Sequence, residues 1–242
     1  MDRRTQLALT ALNAAFYEQQ AAHFNATRGR GWPGWRRLKA LLPQTGKVSV
    51  VDVGCGNGRL GAFFRQEVGE RIAYQGLDES ERLLAFAREQ LGPSTALGKL
   101  ELLQQRVTEH VPEPVDLVAL FGVLHHLPGK DFRSAVLRDC LAVLKPGGLL
   151  AVTTWRFASQ PRFEDKQLQW SAAGAFEIDS AQLEPGDHLL SWGDAGAVRY
   201  CHALQDDELQ QWSRLAGTEL VARFVADGAS ADLNQYLILR KL

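Results

Sequence analysis

The stretch VSVVDVGCGNGRLG, residues 48–61, joins a run of β-branched residues directly to a glycine-rich turn. β-branched runs are typical of strands, and the residues after the turn, GRLGAFFRQEV, have the composition of a helix. Glycines in such a turn leave the backbone bare, so that a ligand can approach it closely. The stretch therefore predicts a strand, a ligand-binding turn and a helix, and it sets the fold of the chain.

Two classes of ligand fit the glycines of this turn. Gly56 begins G-x-G-x-x-G, the dinucleotide fingerprint, whereas Asp52 begins D-x-G-x-G-x-G. In the dinucleotide fingerprint the first glycine follows the strand at once, but here that position is Gly54 and the fingerprint starts later. The carboxylate of Asp52 repels a pyrophosphate and attracts a cation. The pattern favours S-adenosylmethionine, which carries a sulfonium and an ammonium but no phosphate, over NAD.

Strands and helices alternate along the rest of the chain, which predicts a parallel sheet with crossover helices. The predicted strands are residues 48–53, 72–78, 99–105, 115–122 and 149–155, followed by a helix at 206–217 and a closing pair of strands at 218–228 and 234–241. We expect an α/β, doubly wound, mostly parallel seven-stranded sheet with a terminal antiparallel hairpin. In such a sheet the ligand crevice lies beyond the carboxyl ends of the strands.

The composition fits one domain with two additions. The 242 residues are 45% hydrophobic, enough for a single core. We expect a helical arm over residues 1–45, and a substrate-side insertion over 156–205, where periodicity is weak. Thr10 and Asn13 interrupt the apolar stretch of the N-terminus, which favours an amphipathic helix over a signal peptide.

The cellular setting follows from cysteine usage and apolar run length. The 3 cysteines are far apart and form no C-x-x-C pair, which indicates a reducing compartment. No apolar run approaches the roughly 18 residues that a membrane span requires. We therefore expect a cytoplasmic protein without a membrane partner.

The N-terminal arm is basic and aromatic. The formal net charge of -1 gives no global footprint for nucleic acid, yet no Asp or Glu occurs from Gln19 through Val51. The cations and tryptophans of this segment are Arg28, Arg30, Trp32, Trp35, Arg36, Arg37, Lys39 and Lys47. Such a surface holds phosphates and stacks bases. An ordinary solvated helix face with inward-packed tryptophans remains the alternative.

Four motifs in order resemble those of the class I S-adenosylmethionine-dependent methyltransferases. They are VDVGCGNGRLG, LDES, VDLVALFGVLHHLP and LKPGGLLAVTTW. The resemblance implies that the cofactor is bound by Asp52, Gly54, Cys55, Gly56, Gly58, Asp78, Phe121 and Gly122. Within this set we favour a packing role over reactivity for Cys55. The chain departs from the family where an acidic residue often faces the adenine, since it offers Gln104, Gln105 and Arg106 there.

No metal is expected. His125 and His126 are adjacent, so their side chains point apart, and no H-x-x-x-H spacing or carboxylate companion accompanies them. By the resemblance, the HHLP segment shapes the rim of the pocket.

Segments at both ends of the chain resemble the tRNA methyltransferases that esterify 5-carboxymethyluridine at the wobble position. They are FYEQQAAHFNATRGRGWPGW, GDHLLSWG, RYCHALQDDEL and NQYLILRK. This resemblance implies that the acceptor is approached by Arg28, Trp32, Arg199, Tyr200 and His202, and that a small zinc-containing activator subunit is a possible partner. The chain departs from this family at Cys201 and Ala203, which bears on substrate identity.

Three functions stay open on the sequence. The first is methylation of a carboxymethyl group on the wobble uridine of tRNA, with tRNA as the partner. The second is methylation of a small carboxylic acid or other metabolite, and the third is a cofactor-binding scaffold without turnover. A carboxylate acceptor is ionised at neutral pH and needs orientation and partial desolvation more than a strong base. Arg28 and Arg199 can grip such an anion, and Tyr200 or His202 can donate to it.

Overall fold

The predicted strand VSVVDV is β1, Val48–Val53, and it lies inside the main sheet. The computed structural model describes residues 1–29, 31–193 and 196–242, so Arg30 of the basic arm lies outside the described residues. The helices are α1 Arg3–Thr27, α2 Trp35–Leu41, α3 Arg59–Val68, α4 Glu81–Leu91, α5 Lys130–Ala142 and α6 Asp206–Trp212. The other strands are β2 Ile72–Asp78, β3 Ala96–Lys99, β4 Val115–Leu120, β5 Leu144–Trp155, β6 Gln167–Leu168, β7 Asp187–Trp192, β8 Ala197–His202, β9 Thr218–Ala226 and β10 Asn234–Lys241.

The main sheet confirms the predicted fold class. Its 7 strands have the order β3-β2-β1-β4-β5-β10-β9. The first five strands are parallel, and β10 runs antiparallel to both β5 and β9. The strand order reverses direction at β1 and β4, and a crevice opens there at the carboxyl ends of the two strands. Among the described residues, no helix is long and apolar enough to cross a membrane.

The predicted position of the third strand was wrong. It was predicted at residues 99–105, but β3 ends at Lys99, where it pairs with the last residue of β2. The N–H groups of Gln104 and Gln105 both donate to the carbonyl oxygen of Glu101, at 2.8 and 2.9 Å, so the chain turns instead of extending the ladder. The strand was predicted there because the segment contains three apolar residues, Leu100, Leu102 and Leu103. The correction places Glu101 two residues after the end of the third strand.

The insertion at 156–205 contains a second sheet that the sequence did not reveal. Strands β6, β7 and β8 form it, in that order and antiparallel. Leu9 and Leu12 of α1 pack with Leu189 of β7 and Tyr200 of β8. Asn13 of α1 donates from Nδ2 to the Tyr200 carbonyl (3.1 Å) and accepts at Oδ1 from the Tyr200 N–H (2.8 Å). Helix α1 is thereby fixed between the small sheet and the crevice.

A buried network of charges ties the small sheet to α5 and α6. Arg133 donates to Glu208 (2.8 Å) and to Glu184 (2.8 Å). His202 joins the network through Nε2 to Glu208 (2.9 Å) and through Nδ1 to Asp187 (2.6 Å). Burial opposes protonation of His202, but the hydrogen bonds to the two carboxylates outweigh it and raise the pKa of His202.

A second tie holds the segment between α1 and α2 against the closing hairpin. Asp227, at φ 70°, accepts from the Gly34 N–H at Oδ1 (2.9 Å) and from the Tyr236 hydroxyl at Oδ2 (2.6 Å). A Cβ on Gly34 would lie 2.4 Å from Cζ of Tyr236. The segment that carries Trp32 therefore meets the hairpin at a position where only glycine fits.

Gly34→Ala should lower the free energy of unfolding by about 1–3 kcal/mol, because the added methyl overlaps the fixed ring of Tyr236. The measurement is urea unfolding followed by circular dichroism. Gly29→Ala in the same arm is the matched control, since nothing lies within 4 Å of a Cβ there. Equal stability of the two variants would contradict this packing.

His202→Gln should remove a pH-dependent part of the stability. Because the pKa of His202 is raised on folding, protonated His202 stabilises the fold below about pH 6.5, and this stabilisation is lost as the pH rises through the raised pKa. At pH 6 the substitution should cost about 1–3 kcal/mol, the scale of lost buried hydrogen bonds. Urea unfolding at pH 6 and pH 9 checks this. The cost should shrink at pH 9, and a cost that stays constant would argue against the network as the cause.

Candidate active site

One cavity of about 1660 Å³ lies beyond the carboxyl ends of the central strands. Its floor is the glycine-rich turn and the ends of β2 and β4, and its walls are α1, the Trp32 segment and the small sheet. It therefore joins the crevice predicted for the cofactor to the insertion predicted for the substrate.

The glycine turn leaves room for a ligand in the cavity. Gly54 and Gly56 have φ values of 74° and 57°, which favour glycine. A Cβ on Gly54 would lie 2.3 Å from Cγ2 of Val123, whereas on Gly56 the nearest atom is 3.6 Å away, on Phe24. A side chain at Gly56 would thus fill the cavity itself. This cradle fits the close approach of a compact ligand such as the methionine part of S-adenosylmethionine.

Asp78, at the end of β2, is hydrogen-bonded to the backbone of the glycine turn. Its two carboxylate oxygens accept from the N–H of Gly56 (2.7 Å) and from the N–H of Ser80 (2.9 Å). Burial raises the pKa of Asp78, while these backbone hydrogen bonds oppose the shift. Each oxygen keeps further acceptor capacity, so the carboxylate can also take the two hydroxyls of a ribose.

Asp52, at the end of β1, is a buried carboxyl in the same wall. It is 3% exposed and accepts at Oδ2 from the hydroxyl of Tyr74 (2.7 Å). Burial raises its pKa to about 7, with Asp78 adding to the shift and the Tyr74 hydrogen bond opposing it. A cationic ligand beside Asp52 would favour its ionised form.

The other predicted cofactor residues divide into two groups. Cys55, Phe121 and Gly122 line the cavity, together with the residues above. Gly58 does not line it, and a Cβ there would lie 2.8 Å from Leu91 of α4, so this glycine allows α3 and α4 to approach. Cys55 is buried, and burial raises its pKa well above the usual value, which matches a packing role.

The far half of the cavity is cationic and aromatic. Arg199 is 8% exposed, and its guanidinium carbon lies 4.6 Å from the ring centroid of Trp192 and 4.8 Å from that of Trp155. Within the described part of the chain, its Nε is buried and has no hydrogen-bond partner. Arg28 lies 5.3 Å from the same Trp192 ring. Burial lowers the pKa of Arg28 and the charge of Arg199 lowers it further, so the two cations lie close enough to repel each other.

The structure does not bring Tyr200 and His202 into the cavity. Side chains alternate along a strand, and Arg199 takes the cavity face of β8, which leaves Tyr200 and His202 on the opposite face. The Tyr200 hydroxyl donates to Asp187 (2.8 Å), and both nitrogens of His202 are held by carboxylates. We therefore correct their assignment from the acceptor to the buried network.

That network also contains the group of described residues that could hold a metal ion. The ligand atoms of Glu184, Asp187 and His202 lie within 4.8 Å of one another. Both nitrogens of His202 already bond carboxylates, and Arg133 supplies a positive charge to Glu184. We interpret the group as part of the ion network.

Two histidines of the HHLP segment lie on the cavity wall, which the sequence assigned only to its rim. His126 donates from Nδ1 to the Tyr200 carbonyl (3.0 Å), which leaves Nε2 to accept from the Tyr17 hydroxyl (2.7 Å). Burial and the charge of Arg199 lower the pKa of His126 to about 3. Burial and the charge of His126 also lower the pKa of His125 well below its usual value. Both rings are therefore neutral and weak bases.

The cavity wall after the third strand holds an acidic residue, Glu101, that the sequence analysis missed. Glu101 and Gln104 line the cavity, whereas Gln105 and Arg106 do not. Glu101 pairs with Lys99 (2.7 Å) and accepts from Gln104 (2.6 Å). The sequence analysis missed this acidic residue because the predicted third strand, residues 99–105, included Glu101.

The basic arm has exposed arginines, as a phosphate-binding surface requires, and inward-packed tryptophans, as the alternative of an ordinary helix face requires. Trp35 is buried in the core, and Trp32 is half-buried on the cavity wall. Arg36 and Arg37 are exposed, and the guanidinium of Arg37 lies 4.7 Å from the Phe224 ring. The tryptophans pack inward, and the arginines remain on the surface.

Comparisons with known proteins agree with this geometry. A family described as "Methyltransferase domain" matches residues 51–150. The tRNA (carboxymethyluridine(34)-5-O)-methyltransferase of Schizosaccharomyces pombe is 26% identical over 216 residues, 85% of this chain and 87% of that protein. The ubiquinone biosynthesis O-methyltransferase of Pseudomonas paraeruginosa is 28% identical over 173 residues, 71% of this chain and 65% of that protein. Some relatives are longer, and the chain spans 35% of the human probable tRNA methyltransferase 9B.

A solved structure of DhpI in complex with SAH superposes with a TM-score of 0.64 at 15% identity, covering 98% of each chain. That likeness concerns the fold, and the sequence matches concern the methyltransferase domain that carries the glycine turn. The sheet order and the solved neighbour show the class I methyltransferase fold, and the domain and sequence matches support an S-adenosylmethionine-dependent methyltransferase.

Proposed function

We propose that this methyltransferase esterifies a carboxylate acceptor, the carboxymethyl group on the wobble uridine of tRNA. The observation that carries the proposal is the buried guanidinium of Arg199, which is stacked on Trp155 and Trp192 and keeps Nε unpaired among the described residues. A buried cation without an anionic partner is costly, and a bound carboxylate relieves that cost. Arg28, on the same Trp192 ring, adds a second positive charge.

The histidines of the cavity favour a carboxylate over a hydroxyl acceptor. A hydroxyl must lose its proton during transfer, so it benefits from a base whose pKa is near the working pH. The pKa of His126 is about 3, and that of His125 is also depressed. A carboxylate arrives already ionised and needs only to be oriented and partly desolvated.

Aromatic walls and a cationic rim support a nucleic-acid acceptor. Trp155, Phe163 and Trp192 line the acceptor half, where planar rings stack a base. Exposed Arg162 and Lys166 lie at its rim, where phosphates are attracted. The Schizosaccharomyces pombe relative is named for the methylation of carboxymethyluridine at position 34 of tRNA. The zinc-containing activator subunit implied by the resemblance stays a prediction.

A small metabolite is the second candidate acceptor. Another relative is named for ubiquinone biosynthesis, and the net charge of -1 gives the chain no overall affinity for nucleic acid. A small carboxylic acid would use the same two arginines but not the surface arginines of the arm.

Bound S-adenosylmethionine supplies an electrophilic methyl group on its sulfonium. Asp78 would hold the ribose and Asp52 the ammonium of the methionine part. Arg199 and Arg28 would hold and orient the acceptor carboxylate, and Trp155 and Trp192 would exclude water from it. Transfer of this methyl group to a carboxylate oxygen would leave the electron pair of the broken C–S bond on sulfur.

The affinity for S-adenosylhomocysteine should rise about tenfold from pH 6 to pH 8, because Asp52 with a pKa of about 7 must be ionised to hold the ligand's ammonium. Below its pKa the carboxyl is protonated and the attraction is lost. Titration calorimetry at the two pH values measures the change. Asp52→Asn should bind weakly at both pH values, and a pH dependence that persists in this variant would move the titrating group elsewhere.

Arg199→Ala should lower methyl transfer about 100-fold or more, with cofactor affinity and folding near wild type, because it removes orientation of the acceptor alone. Arg28→Ala should act in the same direction. Arg199→Lys should rescue little, since an ammonium lacks the planar fork and the stack on tryptophan. Exposed Arg214 supplies the matched control, Arg214→Ala. Wild-type turnover in both arginine variants would remove them from the site.

Radiolabelled methyl transfer to bulk tRNA, compared with a small-metabolite extract, separates the two acceptors. For a tRNA acceptor, replacing Arg36 and Arg37 by Ala should weaken tRNA binding and flatten its salt dependence. Activity that depends on Arg28 and Arg199, with label only in the metabolite fraction, would favour the second candidate.

A further inference from the structure

Trp192 is a half-buried tryptophan on the wall of the cavity, at the last residue of β7. Two guanidinium groups lie against its ring. The guanidinium carbon of Arg199, from β8, lies 4.6 Å from the ring centroid, and that of Arg28, at the end of α1, lies 5.3 Å from it. The ring of Trp192 is therefore the place where the small sheet and helix α1 bring their two cations together.

Two phenylalanines of α1 pack against the ring of Trp192. Phe16 lies edge-to-face with it, at a centroid distance of 5.4 Å, and Phe24 is stacked with it at 6.4 Å. Rings packed in this way restrict one another's rotation. The orientation of the tryptophan is therefore set jointly by β7 and α1.

The two arginines on this ring repel each other. Burial lowers the pKa of Arg28, and the positive charge of Arg199 lowers it further. Arg28 is the C-cap residue of α1 and is half-buried, so a turn of its side chain towards solvent would relieve the repulsion. The face of a tryptophan attracts a guanidinium, and does so more strongly when the pair is removed from water. The contact with Trp192 therefore opposes the movement of Arg28 out of the cavity.

We propose that Trp192 is a positioning residue, which holds Arg28 beside Arg199 so that an anionic acceptor meets two guanidinium groups. The proposal rests on the proposed role of these arginines in binding the acceptor carboxylate. Without Trp192, Arg199 would keep a tryptophan face, that of Trp155 at 4.8 Å. Arg28 would keep the ring of Phe24 at 5.5 Å, and a phenyl ring attracts a cation less strongly than an indole. The loss of Trp192 should therefore displace Arg28 more than Arg199.

A double-mutant cycle of methyl transfer tests the link between Trp192 and Arg28. The assay uses radiolabelled S-adenosylmethionine with bulk tRNA, or with the small-metabolite extract if the label appears there. Trp192→Leu should lower kcat/KM about 5- to 30-fold, the range of one desolvated cation–π contact. Arg28→Ala should cost much activity in the wild-type background, but less than about threefold in Trp192→Leu, because the guanidinium has then already left the site.

Hydrogen exchange in the ligand-free protein, followed by nuclear magnetic resonance, tests the same link without any acceptor. The Nε–H group of a guanidinium that is held inside the cavity exchanges with water more slowly than that of a solvated one. Trp192→Leu should speed the exchange of Arg28 and leave that of Arg133, in the buried network, unchanged. Trp192→Phe keeps an aromatic face and should keep most of the protection of Arg28.

Trp170→Leu is the matched control, because Trp170 belongs to the same insertion and packs in the apolar cluster of Leu9 but does not line the cavity. The cost of Arg28→Ala should stay at its wild-type size in this background. If Trp192→Leu fails to fold, Trp192→Met removes the aromatic face and keeps an apolar side chain, and it gives the same comparisons.

Three results would overturn the proposal. They are an equal cost of Arg28→Ala with and without Trp192, wild-type exchange of Arg28 in Trp192→Leu, and a loss of the Arg28 effect in Trp170→Leu as well, which would make the effect a general loosening of the insertion. Methyl transfer that depends on neither Arg28 nor Arg199 would refute the proposed acceptor site instead, and the exchange rates would still decide whether Trp192 holds Arg28.

Discussion

The backbone of Tyr200 is the point at which the helix, the small sheet and the cavity wall meet. Its N–H and carbonyl are both held by the side chain of Asn13, and the same carbonyl accepts from His126. These buried bonds fix the rotation of β8, and the alternation of the strand then turns Arg199 into the cavity. The position of Arg199 in the cationic half of the cavity depends on this one peptide, since a slip of one residue would exchange Arg199 for Tyr200.

Local patterns predicted the cofactor half of the molecule, and long-range packing built the acceptor half. The glycine turn and the strand before it are continuous in sequence, so Asp52 and Gly54 could be placed from spacing alone. The acceptor half joins α1 to residues almost two hundred positions later, as in the pair Asn13 and Tyr200, and no periodicity reports such a pair. The error at β3 had a local cause, because the apolar residues Leu102 and Leu103 line the cavity and do not belong to a strand.

Buried polar atoms without a hydrogen-bond partner lower the stability of the fold along the cavity wall. Among the described residues, the buried polar side-chain atoms without a partner belong to Thr10, Trp35, Asn57, His125, Arg199 and Trp212, and all but Trp212 line the cavity. Each such atom costs about 1–3 kcal/mol when it stays dry and unbonded. A fold selected for stability alone would pair or remove these groups. The unbonded polar atoms of the described residues are therefore concentrated in the side chains that line the cavity.

The distribution of charge along the cavity bears on the release of products as well as on binding. Asp52, Asp78 and Glu101 line the cofactor end, while Arg28 and Arg199 line the acceptor end. Methyl transfer to a carboxylate turns a sulfonium into a thioether and an anion into a neutral ester. The ester has then lost the charge that attracts it to the two arginines, and S-adenosylhomocysteine has lost its sulfonium charge but keeps its ammonium; in a buried site such attraction is weakly screened. On the proposed acceptor, the reaction itself weakens the binding of both products.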